Sequence, residues 1–154
     1  MAMIFTLGYE GADIDAFVKA LAAARIDTVV DVRAQPFSRK ADFTKKRLAG
    51  HLAGADIAYR HLPALGNPKA AREAAKAGDI ATYRRIYETQ LASQGAEADL
   101  ARLAEQAQDE RLCLVCLEAD ARGCHRSLIT ERLAAAYDLA VEHLRLDGQG
   151  QLDL

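Results

Sequence analysis

Thr28-Val29-Val30-Asp31-Val32 is the stretch that most limits how this chain can fold. A nearly unbroken β-branched run has no polar face to offer water, so it reads as a strand covered on both sides. Leu112-Cys113-Leu114-Val115-Cys116-Leu117 repeats the pattern further along. Strands of this kind, separated by helical patterns, call for a parallel sheet, because its crossovers lay helices on both faces. The expectation is an α/β three-layer sandwich with a mostly parallel sheet of about five strands.

The remaining elements fall into place around these two. Ile4 to Leu7 is a short first strand, stopped by Gly8 and Gly11. Asp13 caps a helix whose apolar stripe is Ile14, Phe17, Val18 and Leu21. Pro36 stops the second strand. Phe43 to Leu52 reads as a basic amphipathic helix closed by Gly54, and Ile57 to Leu62 as the third strand, ended by Pro63 and Gly66. A helical insert over about 68–109 follows, with Asp79 capping one helix and a second beginning after Gly95. Leu112 to Leu117 is the fourth strand, and Leu128, Ile129, Leu133 and Ala136 mark the next helix. Val141 to Leu144 is the last strand, and a polar, loose tail starts at about Asp147. Residues 1–154 are expected to form one α/β domain.

No apolar run approaches the roughly 20 residues of a membrane span, so no membrane partner is expected. The N-terminal segment lacks the basic region and cleavage site of a signal peptide, and a cytoplasmic location follows. In that reducing compartment the three cysteines are expected as thiols. Net charge is −2, which gives no global pull toward nucleic acid. Between Arg33 and Arg47, however, six cations face Asp42 alone, a local +5. A basic face on a near-neutral protein points to an anionic ligand; the plain alternative is a solvated helix face carrying Lys45 and Lys46.

Loops that follow parallel strands emerge on one edge, where open α/β sheets place ligands. Gly8, Tyr9 and Glu10 lie there after strand one; Arg33, Ser38 and Arg39 after strand two; His61, Gly66 and Asn67 after strand three. After strand four come Cys116, Glu118, Cys124, His125 and Arg126. Cys116 at a strand end, facing a helix N-terminus and Arg126, reads as a nucleophile or as a pocket wall. Glu118 and His125 read as the proton-transfer pair. The helix starting near Cys124 is expected to capture an anion, with Arg126 and Arg33 closing around it. Gly8, Tyr9, Arg33, Arg39, His61 and Arg126 form the expected substrate-binding set.

Each has a plainer reading. Asp31 and Arg33 fall on one side of the strand and can pair with each other. Tyr9 can simply line the crevice, His61 can be a packing histidine, and Arg126 can pair with Glu118 or Glu131. Cys113, three residues from Cys116, falls on the opposite face and is expected to be inert. Cys113, Cys116, Cys124 and His125 do not read as a zinc set, because Leu114 and Val115 suit a strand and not a metal-binding turn, so no metal is expected. The spacing Cys116-x5-Arg122 matches a phosphate-loop thiol, but its acids and lack of glycine make a poor cradle, and the match is taken as chance. The sequence names no cofactor and no oligomeric state.

Thr6-Leu7-Gly8-Tyr9-Glu10-Gly11, Asp31-Val32-Arg33, Pro36-Phe37-Ser38-Arg39, Tyr59-Arg60-His61-Leu62-Pro63, Cys116-Leu117-Glu118 and Cys124-His125-Arg126-Ser127 occur in this order. Together they resemble the domain of unknown function 488 family, from about Phe5 to Leu144. Many members carry Gly-His-Ser where this chain has Gly8-Tyr9-Glu10. The resemblance implies the fold and the position of the site, and its name leaves the activity open. A second similarity, to rhodanese-like domains, rests on Asp31-Val32-Arg33, Gly50-His51-Leu52-Ala53-Gly54-Ala55 and Cys116; it implies sulfur transfer through Cys116. The principal expectation is an enzyme acting on an anionic substrate, phosphate-bearing, a nucleotide or nucleic acid. Its rivals are a non-catalytic nucleic-acid or protein-binding module and a rhodanese-like sulfurtransferase.

Overall fold

The structure is a computed structural model and describes residues 2–36, 38–117, 125–147 and 151–152. Five strands form one wholly parallel sheet: β1 (Met3–Gly8), β2 (Thr28–Asp31), β3 (Ala58–His61), β4 (Leu112–Cys116) and β5 (Ala140–His143). Their order is β3-β2-β4-β1-β5. The two runs without a polar face are β2 and β4; every residue in them is buried, and they pair with each other at the middle of the sheet.

Period-2 alternation divides their side chains between two cores. Val30, Leu112, Leu114 and Cys116 pack on one face, against α4 (Ile80–Leu91), α5 (Gln94–Gln106) and α6 (Arg126–Tyr137) through Tyr87, Leu103 and Ile129. Phe5, Val29, Cys113 and Val115 pack on the other, against α1 (Ile14–Ala23) and α2 (Lys45–Ala53) through Phe17, Leu21, Leu48 and Leu52. Each fully buried aliphatic or aromatic side chain contributes about 1.5–3 kcal/mol. Cys113 and Cys116 therefore do lie on opposite faces.

The helices that leave β1 and β2 run over one face, and those that leave β3 and β4 run over the other. Beyond its carboxyl end, β4 is thus flanked by two strands whose chains turn away to the opposite side. That is the topology that opens a crevice in an α/β sheet.

Local signals place the helices. Asp13, Asp79 and Ser93 cap α1, α4 and α5 by accepting from Ala16, Thr82 and Ala96 backbone N–H groups at 2.8, 3.2 and 3.3 Å. The insert holds three helices, the first being α3 (Lys69–Lys76); Gly78, at φ +80°, makes the turn into α4. Phe43 is not the first residue of α2. It ends a 3-10 turn over Ala41–Phe43, because its ring turns inward to stack on Tyr9 at 4.4 Å and meets Phe17 edge-on at 5.3 Å. Near the C-terminus, Leu146 and Leu152 form an antiparallel bridge and pack on the α1 side of the sheet. No helix among the described residues is long and apolar enough to cross a membrane.

The loops after β2 and β3 touch at one point. A Cβ added to Gly66 would lie 2.3 Å from the Cα of Ala34, so only glycine allows this approach. Gly66→Ala is expected to lower stability by about 1–3 kcal/mol, as overpacking does. Gly50→Ala, inside α2 and in open space, is expected to raise it by up to about 1 kcal/mol. Thermal unfolding of the two variants checks this; equal effects would show that the contact between the loops carries no strain.

Candidate functional site

Asp31 ends β2 with a carboxylate that is fully buried. Its two oxygens accept four hydrogen bonds. Arg33 supplies its backbone N–H at 3.1 Å, Nε at 2.9 Å and one terminal nitrogen at 2.7 Å, and the Tyr59 hydroxyl adds the fourth at 2.5 Å. The other terminal nitrogen of Arg33 donates to the Tyr9 hydroxyl at 3.2 Å and the Phe43 carbonyl at 2.7 Å. These contacts use four of the five N–H donors a guanidinium carries. Burial lowers the proton affinity of Arg33, but the bond and charge of Asp31 and the contact with Tyr9 outweigh it, and the net direction is upward. Tyr59 is raised as well, by burial first and then by its bond to Asp31. Of the two readings of Arg33, the pairing with Asp31 is the one present, and a single guanidinium N–H makes no hydrogen bond among the described residues.

Two imidazoles hold the next carbonyls of the same corner. His125 donates from Nε2 to the Val32 carbonyl at 2.8 Å, and His61 from Nε2 to the Arg33 carbonyl at 2.7 Å. A carbonyl can only accept, so Nε2 carries the proton in each ring. His125 is 7% exposed and sits edge-on to Tyr87, with ring centroids 5.5 Å apart. Burial drives its pKa down to about 4, and the nearby Arg126 charge adds to that, against the Val32 bond, which favours the protonated form. His125 is therefore neutral at pH 7, with Nδ1 as its basic nitrogen.

A cavity of about 180 Å³ opens above the end of β4. Tyr9 from the loop after β1, Arg33 and Gln35 from the loop after β2, Cys116 and Leu117 from the end of β4, and His125 from the start of α6 line it. The loop after β3 adds Asn67, and the first turn of α3 adds Arg72. The Arg72 side chain is exposed and makes no hydrogen bond or ion pair among the described residues. Asn67 Oδ1 is buried with no hydrogen-bond partner among them. The loop carrying Asn67 is anchored from below, because Tyr87 and Gln90 of α4 donate to the Leu65 and Ala64 carbonyls at 2.5 and 2.8 Å.

The expected site residues are thus distributed unevenly. Tyr9, Arg33, Cys116 and His125 come together at the cavity. Gly8 pairs with Cys116 in the sheet just beneath it. His61 supports the Arg33 carbonyl, and Arg39 lines a neighbouring chamber. Arg126 is fully buried between α6 and the sheet; it donates to the Thr6 hydroxyl at 2.8 Å, which also shares a hydrogen bond with Nδ1 of His143 at 2.6 Å. Arg126 is not among the residues lining the cavity, where it was expected to help close around an anion. Glu118, Arg122 and Cys124, where the anion-capturing helix was expected to start, lie outside the described residues.

The expectation of three thiols is corrected. Cys113 is a free, fully buried thiol whose pKa burial raises, but Cys116 is disulfide-bonded. A thiolate at Cys116 first requires reduction of that bond. No group of three or more potential metal ligands occurs among the described residues.

Sequence reasoning missed Arg72 and the role of Asn67. The signal was available: a helix that begins straight after a carboxyl-edge loop has its first turn on that edge.

His125 makes stability depend on pH. Its folded pKa, about 4, lies below the ordinary 6.5, so the neutral form is favoured by folding. That stability is fully present above pH 6.5 and is lost as pH falls toward 4, about 2 kcal/mol of it by pH 4.5. Urea unfolding at pH 7 and 4.5 is expected to show this loss in the wild type and a smaller one in His125→Gln. Equal losses would remove His125 as the cause.

A family model described as Domain of unknown function DUF488 matches residues 13–133, and the chain belongs to that family. No curated protein and no solved structure matches it.

Proposed function

Starting from membership of a family without an assigned activity, we propose that this protein is an enzyme acting on a small anionic, phosphate-bearing substrate in the cavity above β4. The observation that carries the reading is the pair formed by Arg72 and Asn67 on one wall. Arg72 has no partner among the described residues, and the buried Asn67 Oδ1 has no donor among them. A buried acceptor without a donor costs about 1–3 kcal/mol. A ligand with an anionic oxygen for Arg72 and a hydroxyl for Asn67, as in a sugar phosphate or nucleotide, satisfies both.

His125 is the group suited to move a proton. Its ring is fixed by the Val32 carbonyl, and its basic nitrogen is Nδ1. Alone it is a weak base, because burial holds it near pKa 4. An anion in the cavity opposes that burial and raises its proton affinity, so binding itself brings the imidazole toward the range useful for catalysis. With the sulfur of Cys116 in a disulfide, the imidazole and not a thiolate takes the chemical role here.

Thermal shift against inorganic phosphate, sugar phosphates and nucleotides tests this. A ligand at about 100 times its Kd stabilises by about 2.7 kcal/mol, and Arg72→Ala is expected to remove that shift while leaving the stability of the unliganded protein within about 0.5 kcal/mol of the wild type. If none of these compounds raises the melting temperature, the reading is wrong.

A further inference from the structure

The cavity above β4 is small for a whole ligand. At about 180 Å³ it falls below the roughly 300–1,000 Å³ of pockets that enclose one. A second chamber of about 410 Å³ adjoins it, and the two share Tyr9 and Leu117. Leu117 is 46% exposed. Tyr9 is not available as a stacking platform, since its ring lies buried against Phe43. Leu117 is therefore the apolar surface that a ligand crossing from one chamber to the other would cover.

Arg39, Lys40, Ser38 and Glu10 ring the second chamber. Lys40 is committed, donating to the Ala12 carbonyl at 2.5 Å and lying over the Phe43 ring. Arg39 makes no hydrogen bond or ion pair among the described residues. Each chamber thus carries one exposed arginine without a partner among the described residues, Arg72 in the first and Arg39 in the second, with an apolar divide between. Beyond Arg39 the basic segment continues through the exposed Lys45 and Lys46.

Building on the anion site proposed above, we infer that the substrate is a nucleotide with a phosphate on each side of its sugar, as inside a single strand of nucleic acid. One phosphate meets Arg72, the nucleoside crosses Leu117 into the larger chamber, and the next phosphate meets Arg39. A duplex does not fit this arrangement, because its bases are stacked and paired and cannot enter a chamber one at a time.

The test uses the full chain with three probes: inorganic phosphate, a nucleoside 5′-monophosphate and a single-stranded octanucleotide, titrated calorimetrically at fixed salt. The octanucleotide is expected to bind at least about tenfold more tightly than the monophosphate, the gain of one more charge-assisted contact. Arg39→Ala is expected to erase that gain and leave phosphate binding unchanged, whereas Arg72→Ala weakens all three. The octanucleotide affinity should fall with salt more steeply than that of the monophosphate. If octanucleotide and monophosphate bind alike, or if Arg39→Ala changes neither, the strand inference is overturned and the anion site stands. If phosphate, monophosphate and octanucleotide all fail to bind, the anion site falls with it.

Discussion

The buried pair of Asp31 and Arg33 is the interaction on which the carboxyl edge depends. Burying two charges costs several kcal/mol each, and only close geometry with satisfied hydrogen bonds offsets that cost. Here the carboxylate has four donors and the guanidinium four acceptor contacts, supplied by β2 itself, the loop after β1, the turn before α2 and β3. The pair is therefore a junction between elements and not a reserve of charge for a ligand. The corner that follows is fixed from two further directions, by His125 at the start of α6 and by His61 at the end of β3.

This junction explains where the cavity lies and which cation it offers. The chain leaves β1 and β2 over one face and β4 over the other, which opens a gap beyond β4. The Asp31–Arg33 corner forms one wall, and the Gly66–Ala34 approach seats the loop after β3 against it. That seat places Asn67 and the first turn of α3 at the opening. Arg33 faces the cavity already bonded, whereas Arg72 reaches it from a helix with no such duty.

Much of the fold was legible in the sequence. Thr28 to Val32 and Leu112 to Leu117 lack a polar face, so they had to lie inside a parallel sheet, and Asp13 and Asp79 marked helix starts through their capping chemistry. The inward turn of Phe43 was not legible, because it answers to Tyr9 and Phe17, residues distant in sequence. The convergence of the candidate residues was legible in outline: topology brings Tyr9, Arg33, Cys116 and His125 to one cavity. The division of labour among its arginines was not. Alternation puts Asp31 and Arg33 on the same side under either reading, and only the positions of Tyr9, Tyr59 and Phe43 decide between them. Arg126 follows a strand-end loop yet turns under α6 to Thr6, a contact that spacing along the chain does not encode.

A double-mutant cycle on Asp31→Asn and Arg33→Met, read by urea unfolding with phosphate affinity measured on the same samples, tests the central claim most directly. If Arg33 belongs to the framework, each single variant loses about 3–5 kcal/mol, the double variant recovers a good part of that loss, and its phosphate affinity stays near that of the wild type. Near-native stability in Arg33→Met together with loss of phosphate binding would contradict the account and make Arg33 the ligand's cation.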